Sequence, residues 1–518
     1  MRIDKVNING FKNLNQFTID FNPTVKHTVL LGQNAAGKSN FLEALVIIFR
    51  DLDLNENPKF EFDIEYRCKD NNIRIVGNPN LKSGYKFYVN DKTKAITKTA
   101  FYKGKEKHLP KYVFSYYSGV SNRLVEHFDT HQRRFYDDLL AGKDEPMRPL
   151  FYARLIHSHF VLMAFYSFGK KHIKDFLDEY LNILGLESIL FILQKPVWVK
   201  DKRDALDFWG ARGVVREFLN DLWDASLAPI PYEETVREDF RRNHKQECLY
   251  LYISNQNKLE QLAKKYGSNA NFFKMLESTY ISDLIQEVRV KVRKKNVNGH
   301  VTFKELSEGE QQLLTVLGLL RFTKDEESLM LLDEPDTHLN PLWKWKYMSL
   351  LEKVVEKDES SQIIMTTHDP LVIGGLKKEE IRIFYLDKKE KNIKSSEPEF
   401  DPKGLGVAGI LTSDLFGLPS TLDKETLDLI NKRNELIVKK DSQELSSAEK
   451  LQLKEIFQTL GQLGINTTDR DPLYEKFLIE MSKNKNFKIE KLTVEDLEKQ
   501  NKIASEIMEK LLKQEGKK

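Results

Sequence analysis

Gly32-Gln33-Asn34-Ala35-Ala36-Gly37-Lys38-Ser39 spaces two glycines, a lysine and a hydroxyl as G-x-x-x-x-G-K-S. In that pattern, backbone N–H groups and the start of a helix wrap phosphate oxygens, and the glycines let the backbone approach with no Cβ in the way. Lys38 is expected to hold β and γ phosphates, and Ser39 to set its hydroxyl on Mg²⁺. Asn34, Ala35, Ala36 and Asn40 are the other residues expected to border the nucleotide, which makes ATP and Mg²⁺ the expected ligands.

A second constellation lies almost three hundred residues on. Leu329-Met330-Leu331-Leu332 is an apolar run ending in Asp333-Glu334. Asp333 at the tip of such a strand suits Mg²⁺, reached through water, and Glu334 is placed to polarise an attacking water as general base. Upstream, Ser307-Glu308-Gly309-Glu310 has the form of a helix start, with Ser307 as N-cap and Gly309 giving the backbone close access to a phosphate. Downstream, Thr366-Thr367-His368-Asp369-Pro370 follows another apolar strand. A lone histidine is more often structural, but four motifs in one order, each at the end of a suitable element, point the same way.

These motifs resemble the ABC ATPase family. There the signature (here Ser307, Gly309, Glu310) contacts the γ-phosphate held by the opposite subunit, and the switch histidine (here His368) orients water. The resemblance therefore implies a homodimer, or a higher even oligomer, closed around two ATP. The S-x-G-E wording is similar to the SMC branch rather than to transporter subunits. Asp333 to Pro341, DEPDTHLNP, is close to the overcoming-lysogenisation-defect branch. Within that branch the Ser115–Gly119 segment and the layout resemble the ATPases of Septu and retron-linked antiphage cassettes. That likeness implies a regulatory ATPase working with a separate HNH nuclease, with DNA or retron nucleic acid a further partner. An SMC-like DNA-repair ATPase stimulated by DNA is the alternative. The family's Q-loop glutamine has no clear counterpart; Ser118 to Arg123 is where it would lie.

Elements must carry these residues to one place. The text from Met1 to about Phe49 reads strand, turn, strand, glycine-rich loop, helix. Residues 59–117 hold short alternating segments, FEFDIEYRC, NIRIVG, YKFYVN and YVFSYY, expected to form an antiparallel sheet. The fold class expected is α/β: an ABC/SMC-type P-loop head with an antiparallel β subdomain, a helical insertion and a helical C-terminal tail. The boundaries expected are 1–120 for the first half of the ATPase lobe, 121–285 for the helical insertion, 286–390 for the second half and 391–518 for the tail. No heptad repeat supports a coiled-coil arm.

Composition narrows the partners. The chain of 518 residues is 40% apolar and 31% charged, and its 81 Lys and Arg nearly cancel 78 Asp and Glu. It therefore has no global field to draw it to nucleic acid or membrane. Cys68 and Cys248 are too few and too far apart for a disulfide framework or a zinc site. Leu155 to Gly169 is too short to cross a bilayer and reads as a buried helix, and a cytoplasmic, membrane-free location is expected. All 11 histidines lie at or before His368, so the tail holds no histidine-dependent nuclease. Asp469-Arg470-Asp471 resembles a metal pair but reads as a helix start. The alternating run Arg289-Val290-Lys291-Val292-Arg293-Lys294-Lys295 has two readings: a phosphate-backbone contact, or, slightly favoured, a solvated edge strand guarding against aggregation.

Overall fold

A computed structural model of the chain describes residues 1–119, 123–143, 149–168, 177–199, 204–237, 239–295, 301–302, 306–323, 327–355, 361–387, 389–463, 465, 477, 480–481, 483–487 and 494–514. They form two compact units, one of Met1–Leu30, Gly37–Val372 and Lys388–Lys394, the other of Leu31–Ala36, Ile373–Asp387 and Ser395–Lys518. The Asp469-Arg470-Asp471 segment lies outside the described residues.

The centre of the first unit is a parallel sheet in the order His27–Gly32, Ser361–Thr366, Ser328–Asp333, Tyr112–Tyr117, Leu150–Tyr152. Its strands are apolar almost without interruption, as strands covered on both faces must be: all six residues of Ser328–Asp333 are buried. The register places Thr366 beside Leu30 on one side and beside Asp333 on the other, with Tyr117 next to Asp333. The motif residues thus reach one edge together, at the carboxyl ends where α/β sheets bind ligands.

The segment YVFSYY, expected in the antiparallel sheet, is the fourth strand of this parallel sheet. Its burial explains the correction. Five of the six residues from Tyr112 to Tyr117 are buried, which an alternating half-exposed strand does not allow. The antiparallel sheet itself runs Phe17–Asp20, Arg2–Asn9, Glu61–Cys68, Asn71–Gly77, Tyr85–Val89. Its alternation is clear in FTID, where Phe17 and Ile19 are buried and Thr18 and Asp20 exposed.

Region 121–285 is not helical throughout. It supplies three strands, Ile183–Gln194, Asn243–Ile253 and Ile230–Arg237, of a second antiparallel sheet completed by Ile285–Lys294 and Val301–Thr302. Leucine-rich text such as ILGLESILFILQ has helical propensity, but as a strand with a neighbour on each side it buries Ile189, Phe191 and Leu193 completely. Helices do occur here. Ile156–Phe168 is the expected buried helix, and it crosses Glu308–Thr323 so closely that a Cβ on Gly318 would lie 2.2 Å from Val161 Cγ1.

In the second unit, the helices Lys424–Ser442 and Ser447–Gln462 pack around Leu436, Leu445, Leu453, Ile456 and Leu460. The turn between them is set by the expected capping box, in which Ser446 Oγ accepts from Glu449 N and Glu449 accepts from Ser446 N. Among the described residues, no helix is long and apolar enough to cross a membrane.

Candidate functional site

The glycine-rich loop owes its shape to its sequence. Gly32, Ala35 and Gly37 all have positive φ, 138°, 65° and 88°. A Cβ on Gly32 would meet the Phe384 carbonyl oxygen at 2.2 Å, and one on Gly37 would lie 3.0 Å from Leu14 and 3.1 Å from Asn13 Oδ1. Glycine is thus required at both ends of the loop. The helix Lys38–Leu54 begins at Gly37 with no side chain capping it and no acid in its first turn. An uncapped helix start with this polarity suits an anion.

Side chains converge on its first turn. Ser39 Oγ donates to Asp333 Oδ1 at 3.0 Å, and Thr366 Oγ1 donates to the same oxygen at 2.6 Å. The Thr366 hydroxyl also accepts from the backbone N–H of Glu334 at 3.0 Å. Glu334 sits in left-handed backbone, φ 52°, a strain of about 1–3 kcal/mol for a residue with a Cβ. That turn leaves its carboxylate 3.4 Å from His368 Nε2, both side chains 38% exposed. Lys38, Ser39, Asp333, Glu334 and His368 are therefore one cluster, as the motifs require.

The electrostatics are those of a site awaiting charge. Burial pulls the Lys38 ammonium down to about 8, against the carboxylates of Glu334 and Asp333, which favour its charge. Burial pushes Asp333 up, opposed by hydrogen bonds from Thr366 and Ser39. Burial, helped by the charge of Lys38, lowers His368, which keeps the imidazole neutral and able to accept a proton. Asp333 Oδ2 is buried with no hydrogen-bond partner among the described residues. An orphaned carboxylate oxygen beside a serine hydroxyl fits a hard cation, so Asp333 and Ser39 are the residues that would hold Mg²⁺. When bound, the cation would neutralise phosphate charge.

Other expected residues take different roles. Asn40 donates to Asn13 Oδ1 at 2.7 Å and accepts from Arg123 at 2.6 Å, which fastens the loop from behind. Ser307 and Glu310 cap each other: Ser307 N donates to Glu310 Oε2 at 2.8 Å and Ser307 Oγ accepts from Glu310 N at 3.3 Å. Lys294 Nζ completes the cap with a 2.7 Å bond to Glu310. Gly309 meets the segment after Glu334, since a Cβ there would lie 2.5 Å from the His338 carbonyl oxygen. Gly309 thus braces the segment that follows Asp333 and Glu334.

Thr366 and Arg123 went unrecognised in the sequence. Thr366 was legible as the strand end before His368, but nothing in the text showed which of two threonines faces Asp333. Arg123 closes the stretch where the Q-loop residue was sought; Val120 to Asn122 lie outside the described residues. With Lys12 and His127 it surrounds Glu43, a carboxylate of the glycine-loop helix only 4% exposed. Burial alone would push Glu43 up, but hydrogen bonds from His127, Lys12 and Arg123 prevail and hold it down to about 2.

Comparison with known proteins places this geometry. The family described as "AAA ATPase domain" matches residues 1–147, and "AAA domain, putative AbiEii toxin, Type IV TA system" matches residues 199–374. Septu protein PtuA of Bacillus mycoides is 30% identical over 162 residues, 29% of this chain and 22% of that protein. Over these stretches the chain is similar to ATPase domains and to PtuA. It spans between about a fifth and a third of the length of the Septu relatives it matches, 22% and 34%. The Retron Vc95 probable ATPase of Vibrio cholerae is 23% identical over 480 residues, covering 84% of each chain. RecF, a DNA replication and repair protein of Streptococcus thermophilus, is 24% identical over 392 residues, 71% of this chain and 92% of its own.

Proposed function

We propose that this chain binds and hydrolyses ATP as the regulatory subunit of an antiphage defence complex. It closes as a homodimer around two ATP with Mg²⁺ and controls a separate HNH-type nuclease. The observation that carries the hydrolytic part is the chain of contacts Ser39–Asp333–Thr366–Glu334–His368, which joins a phosphate loop, a cation-binding carboxylate, a base and a proton acceptor. In this reading Lys38 orients the phosphates, Glu334 takes a proton from the attacking water, and His368 positions that water.

The dimer is supported by the signature. Ser307 and Glu310 satisfy one another at the start of their helix, and Gly309 lies against His338. In this reading the nucleotide contact of that helix start is made to a second copy, as the resemblance of Ser307, Gly309 and Glu310 to the ABC signature implies. The names of the Septu and retron relatives support the defence setting. The similarity to RecF favours the second reading, a repair ATPase.

Copurification of the natively expressed chain with its gene neighbours, followed by nuclease assays with and without ATP, tests the choice. A stoichiometric nuclease whose cutting depends on nucleotide is the expected result. A lone dimer whose ATP turnover rises with DNA would establish the repair reading instead.

A further inference from the structure

Ile285–Lys294 pairs along its length with Ile183–Gln194 and, on its outer side, with Val301–Thr302 at Lys291 and Val292, so the middle of the basic run is covered there. Val288, Val290 and Val292 are buried, while Arg289, Lys291 and Arg293 point from the opposite face into solvent. Strand geometry spaces these cations about 6.6 Å apart in a straight row. Arg289 is paired with Glu287 at 2.8 Å. Among the described residues no carboxylate lies within ion-pair distance of Lys291 or Arg293.

The same face is aromatic beside that row. The register aligns Arg289 with Leu190, and Leu190 with Tyr252, across three neighbouring strands. Tyr252 is 37% exposed, and Tyr232, 57% exposed, stacks on Tyr250 with centroids 5.8 Å apart and ring planes 23° apart. Glu234, which accepts from the Tyr250 hydroxyl, and Glu287 are the carboxylates close to this surface. A flat row of cations flanked by exposed rings offers phosphate contacts and stacking platforms together.

We infer that this sheet face binds single-stranded nucleic acid, with the Arg289–Lys291–Arg293 row along the phosphates and Tyr252 and Tyr232 against unpaired bases. A duplex would meet the cations but has no free base face for the tyrosines. The inference goes beyond the ATPase reading and uses none of its residues.

The test is fluorescence anisotropy of the full chain with a labelled oligothymidylate across a salt series. Wild type is expected to bind with an affinity that falls as salt rises. Lys291→Glu with Arg293→Glu is expected to weaken binding at least about tenfold and to flatten the log–log salt slope by about 1.4, two phosphate contacts' worth. Tyr252→Ala is expected to weaken binding about fivefold or more and to leave the slope unchanged. Binding of a fluorescent ATP analogue checks that each variant is folded, and Lys291→Gln with Arg293→Gln replaces the charge reversal if that variant misfolds. Absent binding at low salt, unchanged affinity in the charge variants, or a duplex that competes equally while Tyr252→Ala is silent would each overturn the assignment. Loss of ATP turnover in Lys38→Ala, by contrast, bears only on the ATPase reading.

Discussion

Thr366 Oγ1 donates to Asp333 Oδ1 across 2.6 Å while accepting from the backbone of Glu334. One hydroxyl on the neighbouring strand therefore fixes both the carboxylate proposed to hold the cation and the strained turn that presents the proposed base. Thr366→Val keeps the shape and removes the hydroxyl. It should leave Asp333 Oδ1 with Ser39 alone and the Glu334 N–H without its acceptor, cost about 1–3 kcal/mol in urea unfolding, and lower ATP turnover at least about tenfold. Unchanged turnover would show that Glu334 holds its place without Thr366.

Glu334→Gln removes the base and keeps the volume. Phosphate release should fall by about 10²–10⁴-fold while ATP affinity stays within about threefold, because Lys38 and the loop are untouched. If affinity fell in step with turnover, Glu334 would be shaping the pocket rather than accepting a proton.

Burial holds Lys38 down to about 8, and phosphate charge must raise it on binding. ATP affinity should hold roughly level from neutral pH to about 8 and then decline, and above that pH binding should take up a proton. Calorimetry in buffers of different ionisation enthalpy reads this uptake directly. Affinity that stayed flat well above pH 8 would mean that Lys38 keeps its charge without nucleotide.

Glu43 contributes to the acid sensitivity of the glycine-loop helix. Its folded value, about 2, lies below the ordinary 4.5, so its contribution is fully present above pH 4.5 and disappears as pH falls toward 2. Glu43→Gln should cost about 2–3 kcal/mol at pH 7, because the charges of Lys12 and Arg123 lose their buried partner. The deficit relative to wild type should shrink between pH 4.5 and 2, measured as the difference in unfolding midpoints. A constant deficit across that range would point to packing instead of charge.

Gly309→Ala drives a methyl to within 2.5 Å of the His338 carbonyl oxygen. A shift of the segment after Glu334 should follow, with a loss of about 1–3 kcal/mol of stability and slower ATP turnover. An alanine variant as active and stable as wild type would show that this segment gives way easily.

The chemistry was more legible in the text than the architecture. Motif spacing identified Lys38, Ser39, Asp333, Glu334 and His368, because phosphate and cation sites constrain residue type at short range. Contacts made at long range were not readable. Nothing near Arg123 in the chain says that it meets Glu43, and nothing near Gly309 says that its neighbour is His338. The second antiparallel sheet was missed because its central strand, Ile183–Gln194, is a buried leucine and isoleucine run, in which strand and helix look alike without alternation. Tyr112–Tyr117 was misplaced for a related reason: a strand can be recognised from its residues, but its neighbours cannot.

Ser39 and Asp333 touch across 294 residues of chain. A ribosome releasing this protein from its N-terminus makes the phosphate loop early and the strand that completes the site hundreds of residues later. At ordinary elongation rates the loop helix waits on the order of half a minute for Asp333 and Thr366. During that wait the parallel sheet lacks its middle strands, and Lys38–Leu54 has only the N-terminal antiparallel sheet, through Phe17, Phe21 and Tyr66, to cover it. Contacts this distant are slow to close. Nucleotide, which needs both halves, would stabilise only finished chains, so ATP in the cell would act on this protein first as a selector of complete molecules.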